Sequence, residues 1–174
     1  RLLSDISDEF DKSVGSFFYD IDKPVAEIMA EIYKKVEGIL KNGFALTATG
    51  KYLDVKVAEQ GITRKPSTAS TVVVTITGIP GSAVSVGDKV ASDVLVFTSI
   101  ENKTIGESET IDVMVQCDMP GTVGNIPIGA INRFPVTLPG LVSVTNSAPA
   151  EGGFDEESDE ELRRRYFEKV SLPA

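Results

Sequence analysis

The sequence predicts an α+β chain: N-terminal helices, a central antiparallel β sandwich or barrel, and a capped C-terminal helix. Three observations predict it. Apolar residues recur at helical spacing between Pro24 and Lys41. Residues 70–146 are instead rich in β-branched residues broken by Gly and Pro, and Ser158-Asp-Glu-Glu161 spells a helix start. Runs of helix and strand that do not alternate favour segregated α+β layers over a parallel sheet. The expected segments are a helical region at 1–66, an antiparallel β domain at 67–150, and at 151–174 an acidic loop opening a C-terminal helical region.

In the first segment, Val25, Ile28, Met29, Ile32, Tyr33, Val36, Ile39 and Leu40 fall on one face of an α-helix. Phe17, Phe18 and Ile21 extend that face backwards in phase. One long helix from about Ser16 is therefore expected, with a bend at Pro24, whose missing N–H leaves the Asp20 carbonyl unpaired. Gly43 supplies a stop. A shorter helix is expected from Thr49 to Glu59, with Tyr52, Leu53 and Val57 inward and Gly61 at its end.

The β segment opens with Thr71-Val-Val-Val-Thr-Ile-Thr77, in which Val72, Val74 and Ile76 alternate with threonines. Gly78-Ile-Pro-Gly81 turns the chain. Further strands are expected near 89–91, 94–98, 110–117 and 140–144; short strands with regular turn signals suit a small sandwich or barrel. Ile111, Val113, Val115 and Cys117 alternate with polar residues, which makes Cys117 a core thiol.

The last helix begins with a capping box, in which the Ser158 hydroxyl caps an amide and Glu161 reaches back. Arg163, Arg164 and Arg165 stand four residues after Asp159, Glu160 and Glu161, a spacing that favours three ion pairs on a solvated face. Pro173 marks an exit. Gly50, Gly121, Gly124, Asn125, Gly152 and Gly153 read as turn and cap positions.

Composition excludes several chemistries. The chain has 174 residues, one cysteine and no histidine. An intrachain disulfide, a Ser-His-Asp or Cys-His site and a His-liganded zinc are therefore impossible within it. The formal charge is −9, but seven acids and no base lie between Glu151 and Glu161; removing those seven leaves about −2. No basic stripe argues for nucleic acid or an anionic membrane. There is no G-x-x-x-x-G-K-[ST] phosphate loop and no EF-hand spacing. No cofactor, metal or small-molecule substrate is expected. Asp155 and Asp159 carry the slim case for acid-driven hydrolysis; helix-start electrostatics account for the acidic run more simply.

Four stretches, read in order, resemble the Baseplate J-like family of tailed phages and phage-derived particles. The first is Asp11-Lys-Ser-Val-Gly-Ser16 before the long helix. The second is Thr47-Ala-Thr-Gly-Lys-Tyr-Leu-Asp54 with Ala58-Glu-Gln-Gly-Ile-Thr-Arg-Lys-Pro66. The third is Thr77-Gly-Ile-Pro-Gly-Ser82 with Val86-Gly-Asp-Lys-Val90. The fourth joins Gly121-Thr-Val-Gly-Asn125, Gly140-Leu-Val-Ser-Val-Thr-Asn146 and Gly152-Gly-Phe-Asp-Glu-Glu-Ser-Asp-Glu-Glu-Leu-Arg163.

The resemblance implies a non-enzymatic wedge protein of a contractile tail baseplate. It would be made in the bacterial cytoplasm and built into the particle beside neighbouring wedge and hub subunits and copies of itself. Family members continue past Ala174, so the chain reads as a fragment. Leu162, Arg163, Tyr166 and Phe167 are the candidate assembly contacts. The alternative is a receptor- or glycan-binding module, which the absence of Trp disfavours.

Overall fold

The computed structural model describes residues 6–171. They fall into two compact units, one of Arg1–Thr63 with Asp159–Ala174, the other of Arg64–Ser158. Residues 151–158 thus belong with the strands, and the C-terminal helix belongs with the N-terminal helices. Pro173 lies outside the described residues.

Among the described residues, the helical unit holds three α-helices. Helix α1 spans Phe17–Asn42 and runs through Pro24, with the Ser16 hydroxyl accepting the Tyr19 N–H. No residue of α1 is buried. Helix α2, Lys51–Ala58, and helix α3, Asp159–Ser171, form the core of this unit instead. There Leu53 and Val57, one turn apart on α2, pack with Ala45, Ala48, Ile62 and Leu162, and Tyr166 leans on the cluster. Tyr52, expected on the inner face, is exposed. It stands about 100° around the helix from Leu53, so a face centred on Leu53 and Val57 turns it outward.

The β unit holds seven strands: β1 Thr71–Gly78, β2 Ala83–Val84, β3 Lys89–Ala91, β4 Val96–Ser99, β5 Lys103–Thr104, β6 Thr110–Cys117 and β7 Leu141–Asn146. Five form an antiparallel sheet in the order β3-β4-β6-β1-β7, and β2 pairs with β5. Strand β1, between β6 and β7, sets Val74 opposite Val113 and Ile76 opposite Ile111. The inward set from β1, β4, β6 and β7 includes Val72, Val74, Ile76, Phe97, Val113, Val115, Cys117 and Val144, in one buried cluster. Alternation with period two sends Thr71, Thr75, Asp112 and Gln116 to the other face.

The sheet is barrel-like because one segment serves both of its outer strands. At β7, the Gly129 N–H donates to the Asn146 carbonyl at 2.9 Å, and the Ile131 N–H to Asn146 Oδ1 at 2.9 Å. At β3, the Ala91 N–H donates to the Arg133 carbonyl at 2.8 Å. Residues 129–133 thus bond both edges and cap an otherwise open ladder. Asn146 is the pin of this closure. It is fully buried, and its Nδ2 donates to the carbonyls of Pro127 (2.9 Å) and Ala148 (2.7 Å).

Candidate assembly site

The parts of the fourth resembling stretch meet each other in the fold, and its end meets the second. In the β unit, Thr122–Gly124 form a 3-10 turn. Asp155 seals its start: the Thr122 N–H and Oγ1 donate to its two carboxylate oxygens at 2.9 and 2.7 Å. The Thr122 hydroxyl and then its amide hold the Asp155 carboxyl below the ordinary carboxylate range. Asn125 and Gly153 bond reciprocally, Nδ2 to the Gly153 carbonyl at 2.8 Å and the Gly153 N–H to Oδ1 at 2.9 Å. Thr68 ties both loops to the chain before β1. Its Oγ1 donates to the Gly152 carbonyl at 2.7 Å, and its carbonyl accepts the Gly121 N–H at 2.9 Å.

This clasp explains its glycines in two ways. Gly121 and Gly152 have φ of +112° and +85°, where a side chain is strained. Gly124 and Gly153 have no positive φ; close approach requires them. A Cβ on Gly124 would stand 2.5 Å from Ser70 Oγ and 3.2 Å from Cys117 Sγ. On Gly153 it would overlap the Gly121 carbonyl oxygen and come within 2.9 Å of Asn125 Oδ1.

In the helical unit, α3 grips the segment around α2. Gly50, at φ +53°, is the residue before α2, and its N–H donates to Asp159 Oδ2 at 2.9 Å. Arg163 Nε donates to the Ala45 carbonyl at 3.0 Å and Nη2 to the Ala48 carbonyl at 2.9 Å. Arg165 Nη2 donates to the Thr63 carbonyl and Lys169 Nζ to the Gln60 carbonyl, at 2.7 and 2.6 Å. An acid thus sits at the start of α2 and cations beyond its end, both favourable to the helix dipole.

Two expectations are corrected here. Arg163 is not paired with Asp159 across one turn; two fixed carbonyls take its guanidinium, and Arg164 pairs weakly forward with Glu168 at 3.8 Å. The acidic run is not simply helix-start charge. Asp155, Glu157 and Asp159 each accept a backbone N–H, from Thr122, Lys65 and Gly50 respectively. These two aspartates, the residues with a slim hydrolytic case, are engaged as backbone caps.

The candidate contacts on α3 divide. Leu162 is fully buried, Arg163 is spent on Ala45 and Ala48, and Tyr166 is half-buried against the core. Their side chains turn inward because α3 needs a face to pack on α2. Phe167 alone of the four stays open, 40% exposed, with its ring edge-on to Tyr166 at 5.2 Å. Ser158 directly precedes the first helical residue and Glu161 lies in the first turn, as a capping box requires.

Replacing Arg163 with Ala is expected to destabilise the helical unit by about 2 kcal/mol, because two carbonyls lose a charged donor. Amide hydrogen exchange across residues 45–57 should accelerate while the strands stay protected. Unchanged exchange there would show the grip to be dispensable.

Among the described residues, no cluster of three or more His, Cys, Asp or Glu is placed to hold a metal. No described helix is long and apolar enough to cross a membrane.

The strands and the first half of the clasp coincide with a known domain. Residues 73–153 match the family model described as the Baseplate J-like protein barrel domain. The β unit is thus similar to the Baseplate J-like protein barrel domain. The whole chain is also 32% identical, over 175 aligned residues, to two Bacillus subtilis (strain 168) proteins: the uncharacterized protein YqbT and the phage-like element PBSX protein XkdT. The alignment covers 47% of each relative, so the chain spans about half their length. The Mu-like prophage FluMu protein gp47 of Haemophilus influenzae is 25% identical over 154 residues, covering 88% of this chain and 43% of that protein. The chain is therefore similar to proteins named for a phage-like element and a Mu-like prophage, and the similarity to the Bacillus proteins runs through the strands and both helical segments.

Thr68 and Asn146 were not among the site residues expected from sequence. Asn146 did stand inside a resembling stretch, but nothing in its neighbours signalled burial. Thr68 carries no local signal, because its hydroxyl's partners lie 84 and 86 residues away.

Proposed function

We propose that this chain is a structural part of a contractile phage-type baseplate, a wedge component that surrounds the hub and is required for tail assembly. The observation that carries the reading is the match of residues 73–153 to the Baseplate J-like protein barrel domain, beside the similarity of the chain to proteins named for phage-like and Mu-like prophage elements. A part that transmits force between neighbours needs rigid surfaces, and a barrel with bonded edges and interlocked loops supplies one. Its partners would be neighbouring baseplate subunits and copies of itself in a ring, with Phe167 among the contacts. The proposed place is the assembled particle, and the proposed role is non-enzymatic.

Particles should be induced with and without the gene, then purified and imaged. The protein should be found in intact tails by mass spectrometry, and its deletion should abolish assembled baseplates. Intact tails that contain no such protein would overturn the reading.

A further inference from the structure

A groove lies beside the clasp in the β unit, between residues 125–127 and 149–152. Its volume is about 430 Å³, room for a few side chains rather than for a domain. Ile126, Pro127, Pro149 and Ala150 form apolar walls, and Glu151 stands among them. The Ala150 N–H donates to the Ile126 carbonyl at 2.9 Å and fixes the spacing of the two walls. We propose that this groove docks an extended segment of a partner protein, one that carries aliphatic side chains beside lysine or arginine.

Charge identifies the occupant. Residues 64–158 hold eleven acids against five bases, a net charge of −6. Four of the bases are engaged within the unit. Lys89, Lys103 and Arg133 pair with Asp118, Glu101 and Asp93, and Arg64 donates to the Glu157 carbonyl at 2.6 Å. On the clasp loop, Asp155 and Glu157 spend their carboxylates on the amides of Thr122 and Lys65. Glu151 and Glu156 are exposed, and among the described residues neither has an ion pair or a side-chain hydrogen bond. The cations that match these two carboxylates are therefore a partner's. The same charges repel nucleic acid and anionic lipid.

The walls decide the rest. Two of the four apolar residues are prolines, which have no N–H to offer, and the Asn125 amide is spent on Gly153. The groove thus takes its guest by aliphatic contact, with Glu151 to orient it. Ile128 and Phe154, next to the lining segments in sequence, are 64% and 66% exposed. Exposed apolar surface rimmed by polar groups marks an interaction site. The Asn125–Gly153 pair holds the walls in place beforehand, so docking orders little on this side.

The proposal stands apart from the baseplate reading: peptide binding can fail while the protein is still found in tails, and can succeed for a chain that never enters them. The test uses the whole chain and fluorescent peptides of about eight residues, roughly 27 Å when extended, in which two lysines and two leucines take every order on a serine background. Anisotropy is expected to show a best binder with Kd on the order of 100 µM, weakened by raised salt. E151K/E156K should weaken it about tenfold with an unchanged circular dichroism spectrum, since both side chains are exposed. E107K/E109K makes the same change of charge at the other end of β1, where the Glu109 carbonyl accepts the Gly78 N–H, and should leave binding within about twofold. If no peptide binds with Kd below about 1 mM, the proposal is overturned. Equal binding by peptides with serine in place of leucine overturns the groove. Equal weakening by the two double variants, or none by E151K/E156K, overturns the site.

Discussion

Replacing Asn146 with Leu is expected to destabilise the β unit by about 3 kcal/mol or more. The side chain is buried, and its three hydrogen bonds serve the Ile131 N–H and the carbonyls of Pro127 and Ala148. Leucine has the same branched skeleton but is larger and offers no donor or acceptor. Backbone groups are then stranded away from water, each at about 1–3 kcal/mol. Asp at the same position keeps an acceptor for Ile131 but loses both donors and faces two carbonyls with a carboxylate, so it should fare no better. Chemical denaturation followed by circular dichroism and by amide exchange in the strands would measure the loss. Wild-type stability in the Leu variant would mean that 129–133 closes the sheet without its pin.

Replacing Gly153 with Ala is the second large effect, expected at about 2–4 kcal/mol, in the range of overpacked buried sites. The added methyl meets the Gly121 carbonyl oxygen, which is backbone and has no rotamer to escape into. Relief requires the two loops to part, which breaks the Asn125–Gly153 pair and strains the Asp155 seal on Thr122. Gly152 gives the control. Its Cβ would meet nothing within 4 Å, so Ala there is resisted only by the φ of +85°. A larger loss at Gly152 than at Gly153 would show that backbone conformation, not close approach, governs this loop.

The periodic parts of the fold were legible from sequence. The α1 stripe, the threonine-valine alternation of β1 and the alternation in β6 each repeat a local rule many times, and each appears where expected. The parts that escaped depend on one long-range partner. Arg163 has an acid four residues back, and local spacing favours that pair by a few tenths of a kcal/mol. Two carbonyls of the 45–48 loop, more than a hundred residues away in sequence, take it instead. Asn146 at a strand end reads as surface, because only tertiary closure buries an amide there. For the site, the resembling stretches named Gly121, Gly124, Asn125, Gly152 and Gly153. Which of them yield to φ and which to close approach became visible only once the loops were opposed.

The single thiol gives this molecule a built-in chemical clock. Cys117 lies on the inner side of β6, with its sulfur facing the space that Gly124 leaves free of a side chain. A thiol reagent can reach it only through an opening of the strands. Its labelling rate therefore reads the opening equilibrium of the barrel, without contribution from the cysteine-free helices. In the proposed baseplate ring the same reaction would report how far neighbouring subunits restrain each barrel from breathing.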